Sequence, residues 1–458
     1  MPQYIRMAVL LHMMEAVRYG LLTDLVCLSC SMTGIRHRIG KLCCLRHRIT
    51  KVLQFNRIPE GIFSAYIPPN RETMKLTCQR DHFFLPKDTH YLNCAFMSPL
   101  SREVEEAGIR GIRKKRNPAT LRPEDFFQDS DRVRTLFAEL IHAPEPERIA
   151  IIPSVSYGMA IVTRNLRPRP GQKIVVPRAQ FPSNIYPWKR LALDTGAELQ
   201  IIDPPEQEAS RGAAWNEAIL HAIDERTALL AIAPVHWADG TRFDLKRLRE
   251  RTRQVGAWMV LDGTQAIGAL PFDVQEIQPE ALVCAGYKWL FGPYSIGLAY
   301  FSSAFDEGRP LEENWITRKD SDQFERLVNY QGAYQPGAIR YDVGERSNFI
   351  LLPMLIAGLQ HVRSWTPEGI QTYCAELMED TLKRLVAAGF RIEHPPYRAH
   401  HLLGIRIPPG ASIDCIKTAL HDHNVSVSIR GDAIRVSPHV YNHEEDTQAL
   451  YEALMAAL

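Results

Sequence analysis

The chain has 458 residues, a length that predicts two domains or one large domain with an appendage. Hydrophobic residues make up 45% of it and charged residues 23%, both ordinary for a globular protein, and a net charge of +2 gives no indication of a nucleic-acid partner. No apolar run is long enough for a membrane-spanning helix, and nine cysteines in a chain of this length favour a reducing, cytoplasmic compartment over a disulfide scaffold.

Residues 1–77 differ in composition from the rest of the chain, being basic and carrying several potential metal ligands. These ligands are Cys27, Cys30, His37, Cys43, Cys44 and His47. Thiolates and imidazoles bind zinc, so a zinc-dependent or DNA-binding module is one interpretation, although the spacing matches no regular zinc module. The segment also lacks the cleavage pattern of a targeting peptide. We therefore expect an extension outside the folded domains, with Met74 as the native start.

From residue 81 onward, helical and extended patterns alternate. Helices are predicted over 101–113, 130–141, 244–255, 367–388 and 412–423, with another beginning near Tyr157. Strands are predicted over 149–152, 173–176, 228–235, 258–261, 281–285, 390–393 and 402–407, and a hairpin over 425–436 turns at Gly431-Asp432. The alternation of strands and helices predicts an α/β fold with a mostly parallel, doubly wound sheet, followed by a smaller α+β unit.

Two buried strands deliver ionisable residues to the same edge of this sheet. The run at 258–261 is followed by Asp262, in the motif LDGTQAIG, and the run at 281–285 is followed by Gly286-Tyr287-Lys288, in AGYKWLFGP. Active groups collect at the carboxyl ends of parallel strands, so the acid and the amine are expected to face one crevice. A structural ion pair is the plainer interpretation of these two residues.

Pyridoxal phosphate chemistry needs this combination of groups. The cofactor requires a lysine for a Schiff base and a carboxylate that keeps its pyridine nitrogen protonated, which Lys288 and Asp262 can supply. It also requires a donor to its phenolate oxygen, and Gln265 lies three residues after Asp262. The spacing therefore predicts a pyridoxal phosphate site.

The two motifs together resemble those of class V aminotransferases, which are fold-type I pyridoxal phosphate enzymes. Relatives of this kind include cysteine desulfurases, kynureninases and isopenicillin N epimerase-like proteins. The resemblance runs from about Asp81 to the C-terminus. It implies a large cofactor-binding domain at 78–340 and a small domain at 341–458 that also packs with residues 81–100. It further implies a homodimer, amino acid and oxo acid substrates, and no metal at the active site.

The resemblance also assigns cofactor contacts residue by residue. Val155 and Ser156, at the start of a helix that Ser154 precedes, occupy the place of the family's phosphate-binding turn, where free N–H groups suit an anion. Phe181 matches the residue that stacks on the cofactor ring, and Tyr287 replaces a histidine before the lysine. Trp237 stands where desulfurases have a residue that touches the phenolate oxygen, a departure that leaves its role open as stacker, donor or substrate wall. A plain helix cap and a core aromatic are the simpler readings of the serines and of Phe181.

For the substrate, the resemblance points to the small domain and to the beginning of the fold. Arg435 in the motif IRVSPHVYN matches the arginine that binds the substrate α-carboxylate, and Asn93 lies in a segment that crosses the mouth of the active site. A guanidinium binds a carboxylate through two parallel hydrogen bonds. A surface arginine on a strand is the alternative.

Some positions depart from the family pattern. Ala285 lacks the hydroxyl of desulfurase-like relatives, and residues 344–348 (GERSN) replace a Gly-Thr-Pro-like motif that reaches a partner subunit's phosphate. Arg340 or Arg346 is the candidate to supply that charge instead.

The preferred function is an aminotransferase in which Lys288 is both the Schiff-base residue and the proton-transfer group. A cysteine desulfurase requires a mobile cysteine ahead of the carboxylate arginine, yet there is no cysteine between Val425 and Arg435, and Cys415 lies in a predicted helix. An epimerase or a kynureninase-like hydrolase would use the same core residues and stays an alternative.

Overall fold

A computed structural model describes residues 75–205 and 210–458. Within it, Lys75–Leu458 forms one compact unit. The predictions for the cysteines and histidines of the first 74 residues therefore lie outside the described residues. None of the described helices is both long enough and apolar enough to cross a membrane.

The strands alternate with helices for most of the chain. The strands are β1 (His90–Tyr91), β2 (Ile149–Ile152), β3 (Lys173–Pro177), β4 (Glu198–Ile202), β5 (Thr227–Ile232), β6 (Trp258–Asp262), β7 (Ala281–Ala285), β8 (Gly297–Phe301), β9 (Arg391–Ile392), β10 (Leu403–Arg406), β11 (Val425–Ser426), β12 (Ser428–Arg430) and β13 (Ala433–Val436). The helices are α1 (Arg102–Lys114), α2 (Gln128–Leu140), α3 (Val155–Asn165), α4 (Tyr186–Thr195), α5 (Arg211–Ala222), α6 (Leu245–Gln254), α7 (Val274–Ile277), α8 (Leu351–Trp365), α9 (Pro367–Ala387), α10 (Ile413–Asp422) and α11 (Glu444–Ala456).

A seven-stranded sheet forms the centre of the molecule, in the order β2-β8-β7-β6-β5-β3-β4. Its neighbouring strands run parallel except at β8, which is antiparallel to both β2 and β7. The inner strands β5 and β7 are buried along their whole length, as their continuous apolar sequences require when helices cover both faces. The prediction of a mostly parallel α/β sheet is confirmed.

A second sheet of four antiparallel strands lies later in the chain, in the order β12-β13-β10-β9. The turn between β12 and β13 falls at Gly431-Asp432, with φ of +60° at the glycine, as the sequence predicts. Near it, β1 pairs in parallel with β11, and Asn93 bridges to Ser437. Part of the predicted 81–100 segment therefore packs on this C-terminal unit.

Helix α8 bears on the predicted domain boundary at residue 340. Its Leu352 and Leu355 belong to the same buried cluster as Leu282 of β7 and Leu298 of β8. This helix after residue 340 thus packs with the large sheet, whereas α9 follows directly and contacts α11. Because 75–458 is one compact unit, the division at 340/341 stays a prediction.

Individual elements agree closely with the sequence patterns. Strands β2 and β7 have the predicted bounds, and Ser101 and Asp244 cap α1 and α6 through side-chain oxygens. Helix α3 begins at Val155, two residues before the predicted start near Tyr157, because Ser154 accepts a hydrogen bond from the Tyr157 N–H as its N-cap. Helices α4, α5, α7, α8 and α11 were not predicted.

Candidate active site

A cavity of about 290 Å³ opens at the carboxyl ends of β2, β3, β5, β6 and β7. The predicted cofactor residues all line it: Val155, Ser156, Phe181, Trp237, Asp262, Gln265, Tyr287 and Lys288. A larger cavity of about 620 Å³ is bounded by residues of the loop 314–332 and includes none of these side chains. The sheet topology therefore brings together residues that are 133 positions apart in the chain (288 − 155).

Asp262 ends β6 at the floor of the cavity and is 5% exposed. The Thr264 N–H donates to its Oδ1 (3.1 Å). Burial raises the pKa of Asp262 against the lowering effects of Thr264 and Lys288. A buried carboxyl group with unused acceptor capacity is suited to a cationic N–H donor.

Lys288 follows β7 and is 6% exposed. Its Nζ lies 5.7 Å from the centre of the Phe181 ring across the cavity. Burial and the positive charge of Arg435 lower the pKa of Lys288 to about 8, although Asp262 acts in the opposite direction. A lysine in this state is partly neutral near neutral pH, so its amine can act as a nucleophile or a base.

The N-terminus of α3 forms one side of the cavity. Ser154 caps the helix, and its Oγ lies 2.9 Å from Ser156 Oγ. Gly158 allows the helix to approach β7, because a Cβ there would lie 2.6 Å from Val283. The free N–H groups of the first turn are therefore held at the strand ends, where an anion such as a phosphate can bind.

Gln265 is held in a fixed orientation by two hydrogen bonds. Its Nε2 donates to the Ala95 carbonyl (3.0 Å), and its Oε1 accepts from the Trp289 indole N–H (2.9 Å). The indole contact determines which end of the amide is the oxygen. One of the two Nε2 hydrogens is left for a ligand, so Gln265 retains the capacity to donate that its predicted role requires.

Phe181 and Trp237 form an aromatic wall, with ring centres 5.4 Å apart and an interplanar angle of 81°. The Trp237 indole N–H donates to the Ala179 carbonyl (2.6 Å), and Ala179 has a φ of +54°. This bond occupies the single N–H of the indole, which favours a stacking or wall role over that of a donor. The role of Trp237 stays a prediction.

Tyr287 lies between Lys288 and Tyr294 in the cavity wall. Its ring centre is 4.6 Å from that of Tyr294, and burial raises the pKa of its hydroxyl to about 12. The hydroxyl is therefore protonated at neutral pH and can donate a hydrogen bond. Ala285 has no side-chain donor, and its backbone N–H donates to Thr264 Oγ1 (3.2 Å). This position therefore offers no hydrogen-bond donor to a ligand.

Arg435 lies on β13 beside the cavity, with 1% of its surface exposed. Its Nη1 donates to the Trp237 carbonyl (2.9 Å), and its Nη2 donates to Ser428 Oγ (3.3 Å). Its Nε has no partner, and no described carboxylate lies within ion-pair distance of the guanidinium. Burial and then Arg430 lower the pKa of Arg435 to about 10, which leaves it charged at neutral pH.

Asn93 is linked to Arg435 through Ser428. The Ser428 hydroxyl donates to Asn93 Oδ1 (2.9 Å) and accepts from Arg435, so the two predicted substrate residues belong to one hydrogen-bonded group. Sequence reasoning missed Ser428, since a single serine on a short strand carries no signal. It also missed Gln180, which is 7% exposed, lines the cavity and has an unpartnered Nε2.

Arg346 was one of two candidates to contact a partner subunit's phosphate. Its guanidinium is 2% exposed and donates to Asp342 Oδ2 of its own chain (2.6 Å). Arg340 donates to the Gly308 carbonyl (3.3 Å), has no acidic partner among the described side chains and is the candidate that retains its charge unpaired.

The side chains present fit pyridoxal phosphate. Asp262 has acceptor capacity for a pyridinium N–H, and the pKa of Lys288 is lowered towards neutrality. The first turn of α3 can hold a phosphate, and the unpartnered buried Nε2 of Gln180 supplies a further donor to a polar ligand. A Schiff-base lysine together with an acid for the pyridinium nitrogen is the combination that pyridoxal phosphate requires.

The chain is similar to known proteins over most of its length. The family model for aminotransferase class V matches residues 119–450. Isopenicillin N epimerase of Amycolatopsis lactamdurans is 28% identical over 329 residues, covering 68% of this chain and 80% of the relative. An uncharacterized aminotransferase of Bacillus subtilis is 24% identical over 376 residues, covering 79% and 91%. The crystal structure of an Escherichia coli cysteine desulfurase has a TM-score of 0.68 at 20% identity, covering 82% and 97%.

The fold is that of fold-type I pyridoxal phosphate enzymes. The chain belongs to the class V aminotransferase family, because the family model spans well over half of it. The predicted family and the predicted cofactor, pyridoxal phosphate, are both confirmed.

Proposed function

We propose that this protein is a pyridoxal phosphate-dependent aminotransferase acting on an α-amino acid and an oxo acid. The observation that carries the proposal is the buried, charged Arg435 without an acidic partner among the described residues, beside the cavity that contains Lys288. A desolvated guanidinium without a counter-ion favours binding of an anion from solution. The similarity to an uncharacterized aminotransferase of Bacillus subtilis supports the same function.

The cofactor, when bound, supplies an electron sink next to the substrate α-carbon. Asp262 would accept from the ring nitrogen, and Gln265 would donate to the phenolate oxygen. The α3 N-terminus at Val155 and Ser156 would hold the phosphate, with the Tyr287 hydroxyl as a further donor. The Phe181 ring would cover one face of the cofactor ring, because an apolar aromatic surface fixes its plane without adding charge.

Lys288 is the residue that would carry the cofactor and move the proton. Its lowered pKa allows the amine to accept a proton at neutral pH and to return it. Phe181 and Trp237, which face it, exchange no protons. Transamination needs one base that moves a proton between two atoms, and among the described cavity residues Lys288 is the amine whose pKa suits this transfer.

Arg435 would bind the substrate α-carboxylate. Ser428 and the Trp237 carbonyl hold its guanidinium, and Asn93 holds Ser428 in turn. A substrate bound there lies between the small sheet and Lys288. The binding step therefore fixes the α-carbon near the amine before proton transfer.

A cysteine desulfurase is less well supported, because no described cysteine is both reactive and suitably placed. Cys94 is near enough to Lys288 to be influenced by its charge, but burial raises the pKa of its thiol to about 12. Cys415 is exposed on α10, as predicted, and does not line the cavity. A thiol that stays protonated is a poor nucleophile.

An amino acid epimerase is the second candidate. The observation in its favour is the 28% identity to isopenicillin N epimerase across 80% of that protein. It would use Lys288, Asp262 and Arg435 in the same places. It would return the proton to the α-carbon with inverted configuration instead of releasing an oxo acid.

One experiment separates these functions. The full-length protein loaded with pyridoxal phosphate is incubated with single L-amino acids, with and without an oxo acid, and the products are separated on a chiral column. An aminotransferase yields a new amino acid only when the oxo acid is present. An epimerase yields the D-enantiomer without it, and sulfide release from cysteine would indicate a desulfurase.

The variants for this assay are Lys288→Ala and, as a matched control, Lys189→Ala on the exposed face of α4. The first should lose the visible band of the lysine-bound cofactor and all turnover while staying folded, and the second should retain both. Turnover by Lys288→Ala would overturn the assignment of the lysine.

We further propose that the protein acts as a cytoplasmic homodimer with the two-domain division at residue 340. The apolar side chains of Phe96 (54%), Met97 (39%) and Leu100 (42%) are exposed in the segment that follows Asn93, and they support association with a second copy. Light scattering of the purified protein tests the dimer, and a monomer at micromolar concentration would contradict it.

A further inference from the structure

Three side chains from distant parts of the chain meet away from the cofactor cavity. His82 Nδ1 lies 2.9 Å from Glu103 Oε1, and His361 Nε2 lies 3.2 Å from Glu103 Oε2. The three ligand-type atoms lie within 4.8 Å of one another. They come from a short 3₁₀ turn, from the first turn of α1 and from α8, so the fold and not local sequence brings them together.

The chemistry of this group is that of a transition-metal site. Two imidazoles and one carboxylate form a common ligand set for Zn²⁺, in which each donor atom lies about 2.0–2.2 Å from the ion. Donor atoms arranged tetrahedrally at such distances are roughly 3.3 Å apart. The observed separations of 2.9 and 3.2 Å, to the two oxygens of Glu103, are close to this value. His361 Nε2 also lies 2.9 Å from Ser101 Oγ, a contact that a bound ion would replace. Each side chain is partly accessible, which leaves a path for the ion and a position for water.

The surroundings hold one of the three ligands in a fixed orientation. The His361 ring is held by stacking on Trp365, with ring centres 5.0 Å apart and an interplanar angle of 11°.

The position of the group relates it to the active site. His82 and Glu103 flank residues 83–101, which we call the crossing segment. The Ala95 carbonyl in this segment accepts from Gln265, and its Ser98 N–H donates to the Tyr287 carbonyl (3.2 Å). An ion bound by His82, Glu103 and His361 would tie both ends of the crossing segment to α8.

We propose that His82, Glu103 and His361 form a binding site for a divalent transition-metal ion of the zinc class, which fastens the crossing segment over the cofactor cavity. The role is structural, since the group does not line the cavity. This site is separate from the proposed reaction and does not depend on which reaction the protein catalyses.

The test is a titration of the full-length, cofactor-loaded protein with zinc chloride, followed by calorimetry, with hydrogen exchange measured on residues 83–101. Glu103→Gln and His361→Gln keep the size of each side chain but weaken or remove the ligand. Each should lower the zinc affinity of this site at least about tenfold, the loss that even outer-shell substitutions cause. Zinc should slow exchange in the crossing segment of the native protein and not in these variants.

The matched controls are Glu106→Gln on the exposed face of α1 and His221→Gln on α5, which should bind zinc as the native protein does. Zinc held elsewhere, including by the cysteines at 27–44, would survive all four substitutions, so only the difference between native protein and variant is informative. Equal zinc stoichiometry and affinity in Glu103→Gln, His361→Gln and the native protein would overturn the proposal. So would zinc binding that leaves exchange in residues 83–101 unchanged.

Discussion

Two places in the molecule bury arginine to the same extent but neutralise its charge differently. Beside β2, Arg134 and Arg346, each 2% exposed, share the carboxylate of Asp342. Beside β13, Arg435 is 1% exposed and has the Trp237 carbonyl and Ser428 as its partners among the described residues. The first arrangement includes a carboxylate of the chain, whereas the described surroundings of Arg435 contain none. Burial alone therefore does not distinguish a structural arginine from a binding one; the presence of an acid does.

The largest effect is expected at Asp342. Asp342→Asn leaves Arg134 and Arg346 as buried, uncompensated charges, and breaking a buried ion pair in this way typically costs about 3–5 kcal/mol of unfolding free energy. Chemical denaturation of the variant measures this loss. As a control, Asp306→Asn, which breaks the partly exposed pair with Arg148, should cost less than about 1 kcal/mol. An Asp342 variant as stable as native protein would show that the pair is not structural.

A comparable effect on catalysis, not stability, is expected at Arg435. Arg435→Ala removes a charged donor from a desolvated carboxylate, which costs roughly 2–5 kcal/mol, or about 30- to 5,000-fold in kcat/KM for amino acids. Arg435→Lys should recover only part, because an ammonium cannot make the paired contact. The cofactor spectrum should be unchanged in both.

Simple amines provide the internal control for Arg435, since they carry no carboxylate and should be almost insensitive to either substitution. If amines and amino acids lose the same factor, the guanidinium is structural, like those at Asp342, and the contrast between the two places fails.

The pH dependence of Lys288 gives a smaller effect. With a pKa of about 8, the neutral fraction of this amine rises with pH below 8 and levels off above it. The rate at which apoprotein takes up pyridoxal phosphate should therefore rise up to about tenfold per pH unit below 8, whereas an unperturbed lysine would continue to gain towards pH ~10.4. Stopped-flow absorbance measures this rate. A rise continuing beyond pH 9 would mean that burial does not lower the pKa.

The smallest effect concerns the stability cost of the unpaired charge. Arg435→Met replaces a buried cation that has no acidic partner in the described part of the chain, so the unfolding free energy should change by less than about 1 kcal/mol or increase. It should also move the plateau of cofactor uptake to higher pH, because Arg435 lowers the pKa of Lys288. Arg346→Met, the matched variant at the paired site, should destabilise the fold.

The sequence predicted the strand-end part of the site well. Asp262 and Lys288 each follow a continuous apolar run, and such runs identify buried parallel strands whose ends meet at one edge. The start of α3 was placed within two residues, since a serine before a helix is a recognisable cap. These features depend on residues that are close together in the chain, so they can be predicted from one sequence.

The remaining features depend on contacts between distant residues. Nothing near Gln265 indicates that Trp289 and Ala95 fix its amide, and Ser428 gains its role only by lying between Asn93 and Arg435. Helix α8 was missed because its apolar residues pack on the large sheet across the predicted domain boundary. Such contacts join residues up to 335 positions apart, and no periodicity in the sequence encodes them.

Because β1 pairs with β11, the segment around β1 can complete its contacts only after most of the chain has been synthesised. The Tyr91 and Leu92 backbone groups bond to Asn442 and Ser426, and the Gln79 N–H donates to the Val440 carbonyl. These partners leave the ribosome more than 330 residues later, which takes tens of seconds at about 5–20 residues per second. We expect the crossing segment to stay protease-sensitive in ribosome-bound chains that end before residue 424, although the large sheet is complete by residue 301. Protection of residues 83–101 in such stalled chains would contradict this order of assembly.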